Sequence, residues 1–255
     1  MTETQSLSSK IKPASGFSHF VHILLITLLP AFIFVFVRLN SGTWIRLAVA
    51  LILLSKWRML AVKPRHWPAN IRANSVDIIV GLSLLIFMIS TASALFQLIW
   101  ALVYGVWLVT IKPRSTTIGI SMQALMAQFL GLSAIFLYWG AAPTYTLMVL
   151  VWLVCYSAAR HFFTSFDEPL TRYLSAAWAY FGAALTWILG HWLLFYGLVA
   201  QPTVLLSVIS FSLAGVYYLD QNDKLSVLLR RQLIFVMIAI VVILLTFSNW
   251  GDKAV

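Results

Sequence analysis

Long apolar runs, bounded by charged residues or by Pro and Gly, follow one another along almost the whole chain. A helix needs about 20 apolar residues to cross the hydrocarbon core of a bilayer, and the runs are close to that length. Only 9% of the 255 residues are charged, against about a quarter in soluble domains, so a polar surface cannot cover these runs. The pattern predicts an all-α, polytopic integral membrane protein with about nine transmembrane helices.

The predicted transmembrane domain is single and covers residues 17–248, between a cytoplasmic tail at 1–16 and an external tail at 249–255. The stretch from 75 to 111 is too long for one helix, because it would run about 55 Å through a core of about 30 Å. We therefore predict a hairpin turn at 90–93. The predicted spans are residues 17–37, 43–62, 75–90, 94–111, 117–139, 144–163, 173–199, 203–219 and 229–248.

Basic residues outnumber acidic residues by 17 to 7, which gives a formal net charge of +10. Short loops rich in Lys and Arg stay on the cytoplasmic side of a membrane. In the predicted topology all basic residues except Arg38, Arg46 and Lys253 fall on that side. We predict a cytoplasmic N-terminus, an external C-terminus and a prokaryotic inner membrane. The charge is interpreted as an orientation signal and not as a nucleic-acid surface; the expected partners are membrane lipids, with a homo-oligomer or a larger membrane complex left open.

Two short motifs recur at nearly the same interval. Lys-Pro-Arg stands at 63–65 and again at 112–114, and Gly-Leu-Ser stands at 81–83 and again at 131–133. Such repetition is typical of parallel repeats in some membrane proteins. It predicts a lead helix followed by four similar hairpins. Chance recurrence in a chain of few residue types is the alternative.

Several chemistries lack the residues they need. The single cysteine, Cys155, cannot pair within the chain, and neither a helix-borne zinc motif nor a phosphate-binding P-loop occurs. We expect Lys56 near the inner end of the second helix, reaching outward, and Asp77 in the first turn of the third helix behind Ser75 as its cap. With acids only in loops or at helix ends, a carboxylate-driven proton or sodium pathway is disfavoured. No catalytic residue, metal site or cofactor is predicted.

The best constellation for binding lies in the loops predicted to face the cytoplasm. Arg side chains offer fork-like donors to phosphate oxygens, and Lys and His add positive charge. Together these loops predict a surface for a phosphate or an acidic lipid headgroup, unless the residues only set orientation. The candidate residues are Lys63, Arg65, His66, Arg72, Lys112, Arg114, Arg160 and His161.

Mild polar residues within the predicted spans form a second group. They are interpreted as partners in hydrogen bonds between helices. Gln123 and Gln128 are five residues apart on one helix, so they point about 140° from each other and serve different neighbours. Small residues from Ser175 to Ala184 predict a close helix contact face. The polar candidates are Gln97, Gln123, Gln128, Ser133 and His191.

These features favour a carrier or accessory protein for a small or lipid-like solute. A membrane enzyme acting on a lipid-linked or phosphate-bearing substrate at the cytoplasmic face is one alternative, supported by the basic loops. A structural subunit of a membrane complex is another. The sequence does not identify the solute.

Overall fold

The computed structural model describes residues 16–56, 61, 63–190, 192–193, 195–196, 199–248 and 251–252. Among these, the side chains of 16–26, 192–193, 195–196 and 251–252 are not described. The predicted all-helical class is confirmed. Within these residues the chain forms nine helices: α1 Gly16–Arg38, α2 Gly42–Leu54, α3 Trp67–Ile89, α4 Ala94–Val106, α5 Thr117–Trp139, α6 Thr144–Thr164, α7 Thr171–Leu189, α8 Gln201–Gln221 and α9 Val227–Thr246.

Six of the described helices are long and apolar enough to cross a membrane, as expected of a helical membrane protein. They are α3 with the short 3₁₀ helix Pro64–His66 before it, α4 with the turn that follows it, α5, α6, α8 and α9. Helix α2, Gly42–Leu54, and the part of α1 whose side chains are described, Thr27–Arg38, are apolar but shorter. The nine spans and the fourfold hairpin repeat stay predictions. The tails at 1–15 and 253–255 lie outside the described residues.

Several helix ends lie where local sequence placed them. The hairpin turn at 90–93 separates α3 from α4 as predicted, and α5 occupies residues 117–139. Thr116 caps α5, since its side-chain oxygen accepts a hydrogen bond from the Gly119 N–H at 3.1 Å. Polar turn residues and caps act over a few positions, so sequence alone locates such ends.

Three predicted boundaries are wrong. Helix α2 ends at Leu54 and not at 62. Helix α3 begins at Trp67 and not at 75, with Pro68 in its first turn, where the missing N–H costs no hydrogen bond. Helix α7 ends at Leu189 and not at 199. Beyond it lie two antiparallel pairs of two-residue strands: β1 Trp192–Leu193 with β4 Gly251–Asp252, and β2 Phe195–Tyr196 with β3 Val199–Ala200.

Helix α5 lies between two apolar cores. One core joins α1 to α4 with the near side of α5 and contains Ile52, Leu84 and Met88. The other joins α5 to α8 and contains Leu132 and Val151. Helix α9 packs on α8 and, among its described side chains, buries only one, leaving the rest of its apolar surface exposed.

Small residues allow α6 and α7 to approach closely along their length. Ser175, Ala179, Gly182 and Ala183 are buried on α7, whereas Ala176 and its successor are exposed. A Cβ on Gly182 would lie 2.9 Å from the Cys155 sulfur. The predicted contact face is therefore confirmed for the residues spaced three to four apart, which share one side of a helix.

Candidate functional site

A buried ionic cluster lies where α3 passes the ends of α2 and α4. The Nζ atoms of Lys56 and Lys112 each lie 2.9 Å from the same oxygen, Oδ2, of Asp77. The indole Nε1 of Trp107 donates a hydrogen bond to the other oxygen, Oδ1, at 3.3 Å. Two ammonium groups and one indole, from the ends of α2 and α4, thus meet at one carboxylate of α3. We call these four residues the Asp77 cluster.

The end of α4 supplies two of these partners because its last turn is wider than an α-helical turn. On a regular α-helix, residues 107 and 112 would point about 140° apart. Here the Lys112 N–H donates to the Trp107 carbonyl at 2.9 Å, closing a π turn over Trp107–Ile111. The wider turn brings both side chains to Asp77. Such π turns are frequent at functional sites.

The cluster corrects two expectations drawn from the sequence. Asp77 is not in a first turn: α3 starts ten residues earlier, and the Ser75 hydroxyl donates to the Arg72 carbonyl at 2.8 Å instead of capping the helix. Lys56 does not reach outward, since it is only 7% exposed and its ammonium group faces Asp77. A lone acid beside an apolar run was the signal for this site, because ionisable groups within membrane helices are by default functional candidates.

The side chain of Tyr104, on α4, lies against Gly81 of α3, one helical turn beyond Asp77. It is 1% exposed, and its hydroxyl has no hydrogen-bond partner among the described residues. A Cβ on Gly81 would lie 2.8 Å from the Tyr104 hydroxyl oxygen, so the absence of a side chain at Gly81 makes room for the phenol. Gly81 follows Asp77 by four residues and shares its helix face. The cluster therefore has an unused buried donor beside it.

Gln123 on α5 holds the segment that carries Lys112. Its Nε2 donates to the carbonyl oxygens of Ile111 at 2.8 Å, Lys112 at 3.2 Å and Arg114 at 3.0 Å. Its Oε1 lies 3.0 Å from His161 Nε2 on α6. One buried amide thus joins the end of α4 to α6 and keeps the segment beside Asp77.

The structure brings together only some of the predicted anion-binding residues. Gln123 contacts the backbone carbonyls of Lys112 and Arg114 and the ring of His161, and Lys63 is exposed ahead of α3. The described arginines of this group bond within their own segments: Arg65 to His66 at 2.9 Å, Arg72 to the Pro68 carbonyl at 2.9 Å, Arg114 to the Thr110 carbonyl at 3.1 Å, and Arg160 to the Tyr156 hydroxyl at 3.0 Å. A single surface built from all three loops stays a prediction.

An apolar cavity of about 450 Å³ lies between α5, α6, α7 and α8. Its walls combine small and aromatic side chains, and the exposed Ala177 and Phe181 stand at its side. A volume of this size is within the range of small-molecule sites. The residues that line it include Ala124, Gln128, Ala159, Phe162, Phe163, Ala177, Trp178, Phe181, Ser210, Ala214 and Tyr217.

Polar contacts mark two levels of this cavity. At one level Gln128 accepts a hydrogen bond from Trp178 Nε1 at 3.2 Å and donates to the Ser210 hydroxyl. At the other, the Tyr217 hydroxyl donates to Glu168. Residues 210 and 217 are about 10 Å apart along α8 at 1.5 Å per residue, so the apolar section is about that long.

The remaining polar candidates are Gln97, Ser133 and His191. Gln97 Nε2 donates to the carbonyl oxygens of Met88 at 3.2 Å and Thr91 at 2.7 Å and so closes the α3–α4 turn. The Ser133 hydroxyl is buried and has no partner among the described residues. His191 lies outside the described residues.

No protein-family model matches the chain, and neither a curated protein nor a solved structure matches it. Function is therefore inferred from the Asp77 cluster and from the apolar cavity.

Proposed function

We propose that the protein binds a lipid-like solute in the cavity between α5 and α8 and serves as a carrier or accessory protein for it. The observation that carries the proposal is the cavity itself, which has a volume of about 450 Å³. Three of the four helices around it, α5, α6 and α8, are long and apolar enough to cross a membrane. Its lining is almost entirely hydrocarbon and aromatic, and it has the exposed Ala177 and Phe181 at its side. A solute dissolved in the bilayer has a direct route to such a site.

The physical basis of binding differs from that in a soluble protein. Lipid tails are as apolar as the cavity walls, so a solute entering from the bilayer gains little from leaving water. It gains dispersion contacts with a closely fitting wall, each small and together considerable. Selection therefore depends on shape, and on a polar group placed near Gln128 or Tyr217.

Filling the cavity should abolish solute retention. Ala177→Trp places an indole in the cavity wall, whereas Ala176→Trp places it on the exposed neighbouring position outside the wall. We expect native mass spectrometry of protein extracted in mild detergent to show bound lipid-like mass on the parent and on Ala176→Trp but not on Ala177→Trp. Titration with a dansyl-labelled fatty acid should show affinity reduced about tenfold or more in Ala177→Trp alone, since the indole removes most of the wall contacts.

A second pair of variants covers the case in which the indole at position 177 points away from the cavity. Ala214 on α8 lines the wall, and a Cβ added at its neighbour Gly215 would meet no atom within 4 Å. Ala214→Trp should lose binding and Gly215→Trp should keep it. Equal retention by both members of both pairs would contradict a binding role for the cavity.

We also propose the orientation given by the basic loops, with nine spans and the N-terminus in the cytoplasm. Cys155 is the only cysteine and is buried, so labelling of an added cysteine has little background from the parent chain. In intact cells Ala141→Cys should react with a membrane-impermeant maleimide, and Ser115→Cys should react only after the membrane is opened; both positions are exposed. Labelling of both from the same side would refute this topology.

A further inference from the structure

We propose that Lys56 and Lys112 form a binding site for a phosphate-type oxyanion, with Asp77 holding the two ammonium groups beside each other. This site is separate from the cavity between α5 and α8, and the proposal does not depend on a role for that cavity.

The charges of the cluster do not balance. Two ammonium groups share one carboxylate oxygen, which leaves one positive charge in excess beside the buried Lys56 and the largely buried Asp77. An uncompensated charge in a low-dielectric environment is costly, and membrane proteins pair such charges with counter-ions or ligands. An anion bound between the two ammonium groups would balance the excess.

The donors do not balance either. Two ammonium groups present six N–H donors, and a carboxylate offers about four acceptor positions. One of those positions already accepts the Trp107 Nε1–H. Asp77 alone therefore cannot satisfy both lysines, whereas a tetrahedral oxyanion supplies several further acceptors and favours charge-assisted hydrogen bonds.

Among the residues that the structure describes, the accessible side of the site is at Lys112. The Lys112 side chain is 37% exposed, while the Lys56 side chain is 6% exposed and lies deeper against α3. An anion arriving past Lys112 would meet Lys56 as the floor of the site. Partial burial strengthens such an interaction, because the effective dielectric constant falls away from bulk water.

The surrounding structure keeps this geometry in place. The π turn over Trp107–Ile111 directs Lys112 to the carboxylate, and Gln123 fixes the carbonyl groups on either side of it. The Tyr104 hydroxyl has no hydrogen-bond partner among the described residues and lies beside Gly81, one helical turn from Asp77 on α3. It is a further donor for the anion, directly or through one water.

Free phosphate and the phosphodiester of an anionic lipid share the recognising chemistry. Both offer several oxygens and negative charge to ammonium groups. The structure assigns this class of ligand, and the source is separated by experiment.

The first experiment measures thermal unfolding of detergent-solubilised protein in inorganic phosphate against sodium chloride at equal ionic strength. A ligand that binds only the folded state raises the melting temperature as its concentration increases. We expect this rise for the parent and for Lys224→Gln, which removes an exposed basic residue outside the proposed sites. Lys112→Gln should bind phosphate about ten- to a hundredfold more weakly, as expected when one charge-assisted contact is lost. It should still fold, because Lys56 and Asp77 remain paired.

Asp77→Asn gives a result that an ion pair without a ligand would not produce. With the carboxylate gone, two ammonium groups remain side by side, so the variant should melt lower without phosphate and gain more from phosphate than the parent does. Equal loss in phosphate and in chloride would overturn the proposal. If Asp77→Asn does not fold, the comparison of Lys112→Gln with Lys224→Gln decides alone, and equal phosphate responses there would overturn the proposal as well.

The source of the anion is settled by native mass spectrometry with phosphatidylglycerol and phosphatidylcholine. Retention of phosphatidylglycerol that is lost in Lys112→Gln and kept in Lys224→Gln identifies a lipid headgroup. A phosphate-dependent melting shift without selective phosphatidylglycerol retention identifies a free oxyanion. Absence of both effects refutes the site. Solute loss in Ala177→Trp is independent of each of these outcomes.

Discussion

Asp77→Ala is expected to lower the free energy of unfolding by about 3–5 kcal/mol, because it leaves the Lys56 and Lys112 ammonium groups without their shared counter-charge. Breaking a buried ion pair from one side is costly in this way, whereas exposed pairs contribute about 1 kcal/mol or less. The measurement is thermal and denaturant unfolding of purified protein in detergent without phosphate, followed by tryptophan fluorescence and by the monodisperse fraction in size-exclusion chromatography.

The matched control replaces the whole cluster. A triple variant, Lys56→Met with Asp77→Leu and Lys112→Met, removes all three charges and keeps comparable volume. It should regain most of the stability lost in Asp77→Ala, since apolar replacement of a complete buried pair is often neutral or stabilising. Parent-like unfolding of Asp77→Ala would mean that the lysines are solvated and that the buried cluster does not hold the ends of α2 and α4.

Gly131→Leu is expected to destabilise the protein by about 1–3 kcal/mol and to broaden its elution profile, because overpacking a close helix contact shifts backbones. Gly131 lies on α5 where α3 and α6 both approach. A Cβ at this position would lie 2.8 Å from Ile79 Cγ2 and 2.8 Å from Val154 Cγ1. Ile79 packs against both apolar cores, and Val154 is buried in the second. Neither side chain can therefore move away from a leucine without displacing its neighbours.

Gly215→Leu is the corresponding control on α8, where a Cβ would meet no atom within 4 Å. It should leave unfolding unchanged or raise the midpoint slightly, because leucine favours a helix over glycine by up to about 1 kcal/mol. If Gly131→Leu and Gly215→Leu unfold alike, the close approach of α3 and α6 to α5 contributes nothing to stability.

Some helix ends were predictable because their causes are local. The turn at 90–93 and the first residue of α5 follow from polar residues and a threonine cap within a few positions. The start of α3 was not predictable by the same logic. Asn70, Arg72 and Asn74 look like a loop in an apolar chain, yet they lie in the first turns of the helix before its apolar part begins. Hydropathy detects where a helix becomes apolar, which need not be where it starts.

The partners of Asp77 could not be predicted from the sequence pattern. Its partners lie 21, 30 and 35 residues from Asp77 along the chain, at Lys56, Trp107 and Lys112. The sequence placed Lys56 and Lys112 at the ends of their helices and predicted an anion-binding role for Lys112 but not for Lys56. Only helix packing shows that these ends lie level with the middle of α3, where one carboxylate meets both.

By itself, the sequence determined the helical class, the membrane environment indicated by six long apolar helices, and the turn that divides residues 75–111, because these depend on composition and on neighbouring residues. Tertiary structure decided which polar groups meet. The π turn at Trp107–Ile111, the amide of Gln123 that spans two helix ends, and the cavity between α5 and α8 all arise from packing between distant segments. No pattern of period two or 3.6 encodes such contacts, so the sites emerged only from the assembled helices.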